Sequence, residues 1–125
     1  MASDHLSRMR AVFMAFPEVT ERLSHGAPSW FVRDSKTIGN LWVSGHHDID
    51  QAHLTCAAAT GVQAELIASD PSRFFRPPYV GHRGWIGVYI DGHTDWAEIA
   101  ELAEDSYRLI APKTLVARLD AEQHE

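Results

Sequence analysis

The chain has 125 residues, a single cysteine and a net charge of −6 with histidines neutral. That length fits one domain over residues 1–125 that buries a real core without disulfide staples. The acidic balance argues against a general affinity for nucleic acid, because a phosphate backbone would be repelled on average, although Arg73, Arg76 and Arg83 fall in a stretch without acidic residues. No basic segment followed by an apolar run and no window of bilayer-spanning length is found, so the expectation is a cytoplasmic protein with no membrane partner.

From Ser3, a residue type that caps helix N-termini, apolar residues recur at Leu6, Met9, Val12, Phe13 and Phe16, which predicts a helix ending at Pro17. Glu18–His25 is polar and slightly β-prone. Gly26 and Pro28 punctuate it before the apolar run Trp30–Val32, and Arg33-Asp34-Ser35-Lys36 reads as the turn of a hairpin whose second strand spans about Thr37–Val43. A second loop, Gly45–Asp50, leads to a strand over His53–Ala58 in which Leu54 and Cys56 alternate with polar neighbours. Cys56 lies in an apolar run and is expected to be a reduced, buried thiol.

Thr60 and Gln63 have the spacing of a capping box, opening a short helix with Val62, Leu66 and Ile67 on its apolar face and Asp70-Pro71 at its end. Ser72–Asp91 is the densest part of the chain. It carries three arginines (Arg73, Arg76, Arg83), four large aromatics (Phe74, Phe75, Tyr79, Trp85) and the pair Pro77-Pro78 before the strand Trp85–Ile90. Arginines can grip phosphates or carboxylates bidentately and aromatics can stack on planar groups. Against this, large aromatics are more often core residues, so at least two of Phe74, Phe75 and Trp85 are expected to be buried. Beyond Asp91-Gly92, Asp95 and Glu98 are placed as a capping pair for a long helix striped by Trp96, Ile99, Ala103, Tyr107 and Ile110. Pro112 then opens a final helix with Leu115, Val116 and Leu119 inward. The order predicts an α+β fold, one antiparallel sheet with helices on one face, and a core containing Phe13, Trp85, Val88, Ile99, Leu102 and Tyr107.

His46, His47, Asp48, Asp50 and His53 have metal-ligand composition, but adjacent histidines on a solvated loop tip rarely converge on one centre, so no metal is expected. Ser24-His25 is not a catalytic pair, since neighbours on a strand point to opposite faces, and Gly81-His82-Arg83-Gly84 reads as a tight turn instead of a phosphate loop. Glu98, Glu101, Glu104 and Asp105 form an acidic helix side that needs no ligand to explain it. No catalytic motif and no cofactor site is found.

Taken together, Pro17–Thr20, Ser24–Ser29, Pro77–Gly81, Arg83–Val88, Tyr107-Arg108-Leu109 and Pro112-Lys113 resemble the MmcQ/YjbR family over nearly the whole chain. The resemblance implies a domain similar to the CyaY/frataxin-like fold. It also implies DNA binding through two hairpin wings, whose tips here would be Arg33–Lys36 and Gly45–Asp50. The second tip carries Asp48 and Asp50, which oppose phosphate contact. The leading expectation is therefore a non-enzymatic binding protein engaging DNA through Arg73, Arg76, Arg83 and Lys36, with Tyr79 and Trp30 as aromatic partners. The alternative is a small-molecule, anion-binding or protein-interaction module with a cleft formed by the Pro77-Pro78-Tyr79 loop over the sheet.

Overall fold

A computed structural model describes residues 2–124, with side chains from Asp4 onward. The expected Ser3 cap falls outside the described side chains. Helix α1 (Ala2–Phe13) is followed by strands β1 (Val19–Ser24), β2 (Ala27–Val32), β3 (Lys36–Trp42) and β4 (His53–Cys56). Helix α2 (Val62–Ser69), strands β5 (Phe74–Phe75) and β6 (Ile86–Tyr89), and helices α3 (Trp96–Ile110) and α4 (Lys113–Gln123) complete the order. The six strands form one antiparallel sheet in the order β1-β2-β3-β4-β6-β5, so the α+β expectation holds.

One face of the sheet carries the core. Trp30 stacks on Phe13 of α1 with ring centroids 4.7 Å apart, and Leu41, Leu54, Ile86 and Val88 meet Ile99, Ala103 and Tyr107 of α3 and Leu115 and Leu119 of α4. Burial of these apolar surfaces supplies the main drive for folding. The buried Tyr107 hydroxyl donates to the Pro17 carbonyl at 2.7 Å, fixing α3 to the chain between α1 and β1. Phe74 and Trp85 are buried as expected, whereas Leu102 is only half-buried. Cys56 is a free, buried thiol whose surroundings push it up to about 11, so it is not reactive near neutral pH.

Several local expectations are corrected. The polar Glu18–His25 segment contains a full strand, β1, paired with β2 from Val19↔Val32 to Ser24↔Ala27. Its charged residues suit an edge strand, where one side of the backbone stays in water. All four residues of β4 are buried, because helices cover one face of this central strand and the Trp42 and Phe75 side chains shield Thr55 and His53 on the other, so the apolar–polar alternation does not mark an exposed side. The capping box is not made. Gly61 caps α2 without a side-chain bond, and the Gln63 amide donates instead to the carbonyls of Gly81 (2.9 Å) and Trp85 (2.6 Å). At α3, Asp95 accepts from the N–H groups of Ala97 and Glu98 as expected, but the Glu98 carboxylate is bonded to Arg73.

Candidate functional site

The opposite sheet face displays polar and aromatic side chains of β2, β3 and β4. The Trp42 indole N–H donates to Thr55 Oγ1 (3.3 Å), whose hydroxyl donates to Asn40 Oδ1 (3.2 Å). The Asn40 amide donates in turn to Ser29 Oγ (2.7 Å), and Ser29 donates to the Ala27 carbonyl (3.0 Å). This relay satisfies the oxygens of the floor and fixes the Trp42 ring edge. Farther along the face, Phe75 stacks on Tyr89 at 4.6 Å and its ring covers Gly87, where a Cβ would lie 2.4 Å from ring carbons. His53 lies beside Phe75 at 5.2 Å, fully buried, with Nδ1 bonded to the Gln51 carbonyl at 2.9 Å and Nε2 without a partner.

Two loops rise over this floor. Residues 45–50 form a closed turn in which His46 N–H donates to the Ile49 carbonyl (2.8 Å) and Ile49 N–H returns to His46 (3.1 Å). Gly45 permits it: its φ is +86°, and a Cβ there would stand 2.1 Å from the Ile49 carbonyl oxygen. His46 then lies flat on Trp42, ring centroids 3.6 Å apart. The expected solvated tip is thus a framed loop. His53 is buried, and its imidazole and that of His46 pack against aromatic rings. Among the described residues no three His, Cys, Asp or Glu groups are placed to hold a metal ion.

The second loop turns back at Tyr79. Val80 N–H reaches the Pro78 carbonyl at 2.7 Å, an i→i+2 closure centred on Tyr79, whose φ of +64° belongs to the rarer, strained form of that turn. His47 opposite it also has a positive φ, +56°. For tyrosine such a backbone is an outlier sustained by its surroundings; histidine enters the left-handed region more readily, still at a cost. The two strained positions bring their rings to 4.7 Å from each other. Between the loops and the floor lies a cleft of about 440 Å³ lined by His25, Asn40, Trp42, His46, His47, Thr55, Pro78, Tyr79 and Val80, within the usual range for small-molecule sites. Burial holds His46 below the ordinary imidazole value, and His47, His53 and His25 push it the same way. His53 is lowered by burial, against a smaller opposing effect of the Gln51 carbonyl.

A family model for YjbR matches residues 14–109. The chain belongs to the YjbR family. No curated protein matches it. Among solved structures it is similar to the Deinococcus radiodurans protein DR2400, described as carrying a DUF419 domain. The TM-score is 0.69 at 19% identity, with 87% of this chain and 80% of that chain covered. At that identity the likeness establishes a shared fold.

In this YjbR-family chain the six residues expected to contact a ligand are scattered. Trp30 is fully buried against Phe13, its indole N–H donating to Glu21 at 3.0 Å, so as a base-stacking partner it is withdrawn into the core. Arg73 is bonded bidentately to Glu98 (2.6 and 2.9 Å) and to Asp70 (2.9 Å), which occupies its guanidinium. Arg83 is exposed and lies over the Trp85 ring at 5.3 Å. Arg76 is exposed with its stem against Gly81, and Lys36 is exposed at the start of β3. Only Tyr79 reaches the cleft. Sequence reasoning missed Trp42, Asn40, Thr55 and His25. The pattern of β3 and β4 placed Asn40, Trp42 and Thr55 on one sheet face by strand alternation, but no local feature marked that face as uncovered by helices.

Proposed function

We propose that this YjbR-family protein is a non-enzymatic binding protein that holds a compact planar ligand in the cleft between the His46-His47 loop and Pro78-Tyr79-Val80. One observation carries the reading: two backbone-strained positions, His47 and Tyr79, aim ring side chains into a cleft of ligand size with an aromatic wall. Strain of this kind persists where the surroundings hold it: of the six non-glycine residues with positive φ among the described residues, His25, His47 and Tyr79 line this cleft, while Glu18, Arg33 and Asp34 lie at turns flanking β1 and β2.

DNA binding, which the resemblance drawn from the sequence implies, finds less support in this chain. At the first hairpin tip Arg33 pairs with Glu18 and Asp34 pairs with Arg22, and the second tip carries the exposed Asp48 and Asp50. With Arg73 neutralised, Lys36, Arg76 and Arg83 are the cations left from the expected contact set, against a net charge of −6. That is too few for the counterion release that drives duplex binding.

The test is a nuclear magnetic resonance screen of one- and two-ring aromatic fragments against the full chain, reading the four indole N–H signals. Binding should move the Trp42 signal and leave that of buried Trp30 in place, and Trp42→Ala should abolish it. A parallel titration with labelled duplex and single-stranded DNA at low salt should give no saturable binding. The proposal fails if fragments leave Trp42 unmoved or if DNA binds and shifts Arg76 and Arg83 instead.

A further inference from the structure

The cleft leaves hydrogen-bonding capacity open on its imidazoles and on one amide N–H, while its floor oxygens are engaged. Thr55 Oγ1 and Asn40 Oδ1 already accept from Trp42 and Thr55, so the floor oxygens are engaged. Asn40 Nδ2 uses one N–H on Ser29 and has a second. Among the described residues the imidazoles of His25, His46 and His47 make no intramolecular hydrogen bond, and the Tyr79 hydroxyl makes none. No aspartate, glutamate, lysine or arginine lines the cleft. The Asn40 N–H is donor-only, and each imidazole brings one donor N–H in its neutral form and two once protonated. Around a volume that no carboxylate lines, groups that gain a donor and a positive charge on protonation complement an acceptor-rich, anionic group.

Resting on the planar-ligand reading, we propose that the cleft selects an aromatic acid: a one- or two-ring planar body against the Trp42, His47 and Tyr79 side of the cleft, with a carboxylate received by the imidazoles of His46 and His47 and the free N–H of Asn40. His25 approaches from the turn between β1 and β2, buried His53 of β4 stacks beside Trp42 at 6.4 Å without lining the cleft, and Tyr79 faces the imidazoles from the opposite loop. Asp48 and Asp50, on the outer side of the same loop, are exposed and do not line the cleft. In the free protein, burial and the neighbouring imidazoles keep His46 in its neutral form near pH 7. A carboxylate beside it favours the protonated ring, so the acid enters together with a proton. By linkage, affinity rises as pH falls from about 8 towards about 6, by at most about tenfold per unit for one proton taken up.

Matched pairs test this: naphthoate against naphthamide, and indole acetate against indole acetamide, titrated calorimetrically into the full chain at about pH 6 and about pH 8. The acids should bind at least about tenfold more tightly than the amides at the lower pH, the scale of one charge-assisted hydrogen bond, and the ratio should narrow at the higher. His46→Gln and His47→Gln, which keep the ring-sized volume only in part but leave the fold, should remove the preference for acid while the amides still bind. Equal affinity of acid and amide, or a ratio that does not change with pH, overturns the aromatic-acid assignment and leaves the planar-ligand reading standing. Binding by neither member of any pair overturns both.

Discussion

The Arg73–Trp85 segment and the Gly45–Asp50 loop line opposite sides of one cleft, yet they are held in opposite ways. The first is held by its side chains. Arg73 is locked between Asp70 and Glu98, Phe74 and Trp85 are buried at its two ends, and Gln63 ties the carbonyls of Gly81 and Trp85 to α2. The second is held by its backbone, through the reciprocal bonds of His46 and Ile49 and the close turn at Gly45. A segment held by side chains has few left to offer, and in the first loop Tyr79, 70% exposed, is the large aromatic still presented. A loop closed by its own amides leaves its imidazoles for other partners. The comparison teaches that a dense run of potent residues can mark where a chain is anchored, while a sparser run beside it keeps its side chains uncommitted.

The largest expected effect breaks this comparison at its anchor. Trp85→Ala should cost about 3 to 5 kcal/mol in chemical denaturation, the range for deleting a packed aromatic ring. His47→Ala on the facing loop, whose residue is exposed but has positive φ, should cost no more than about 1 kcal/mol, well below the Trp85 loss. Similar losses in the two variants would show that both loops are structural.

Acid comes next. Burial lowers the proton affinity of His53 in the folded state, and of His46 to the same sense, below the ordinary value of 6.5. The folded state thus prefers neutral imidazoles, and the unfolded chain binds more protons. Stability from these groups is fully present above about pH 6.5 and falls as pH drops below it, by at most about 1.4 kcal/mol per unit for each proton. His53→Leu, which suits the apolar contact with Phe75, should flatten the limb between pH 6.5 and the carboxylate range. An unchanged acid limb in that variant would assign the loss to other groups.

Much of the fold was legible because its signals are local and periodic. The stripe of Ile99, Ala103 and Tyr107, the strand around Val88 and the cap at Asp95 each follow from spacing alone. The site was less legible, for physical reasons that can be named. Arg73 and Glu98 are 25 positions apart, and only the passage of β5 beside the start of α3 makes them partners. Gln63 has capping-box spacing, yet it finds better acceptors in a loop about twenty positions away. The left-handed backbone of Tyr79 follows from a turn closed by its surroundings, since tyrosine itself disfavours that conformation. Pro77-Pro78-Tyr79 was legible as a cleft-forming loop, but its facing wall comes from β3, β4 and two turns that no motif joins.

The comparison is sharpened further within the arginine set. Arg73→Ala should cost about 1 kcal/mol, since its network is bidentate but partly exposed, and the loss should shrink in high salt as screening weakens the parent pairs. The smallest effect belongs to the double variant Arg76→Ala with Arg83→Ala. Among the described residues neither side chain makes an ion pair, and both are exposed, so denaturation should differ from the parent by no more than about 0.5 kcal/mol. Arg83 gives up its position over Trp85, a contact at an exposed site whose contribution lies at the weak end of the cation–π range. The double variant is therefore a clean probe of what the outer side of the loop contributes to binding. If the cleft is the site, it should bind aromatic acids like the parent, because neither arginine lines the cleft. A marked loss of acid binding with stability intact would move the anion's position from the histidines to the arginines. The Gly45–Asp50 loop would then be the scaffold and the Arg73–Trp85 segment the binding surface.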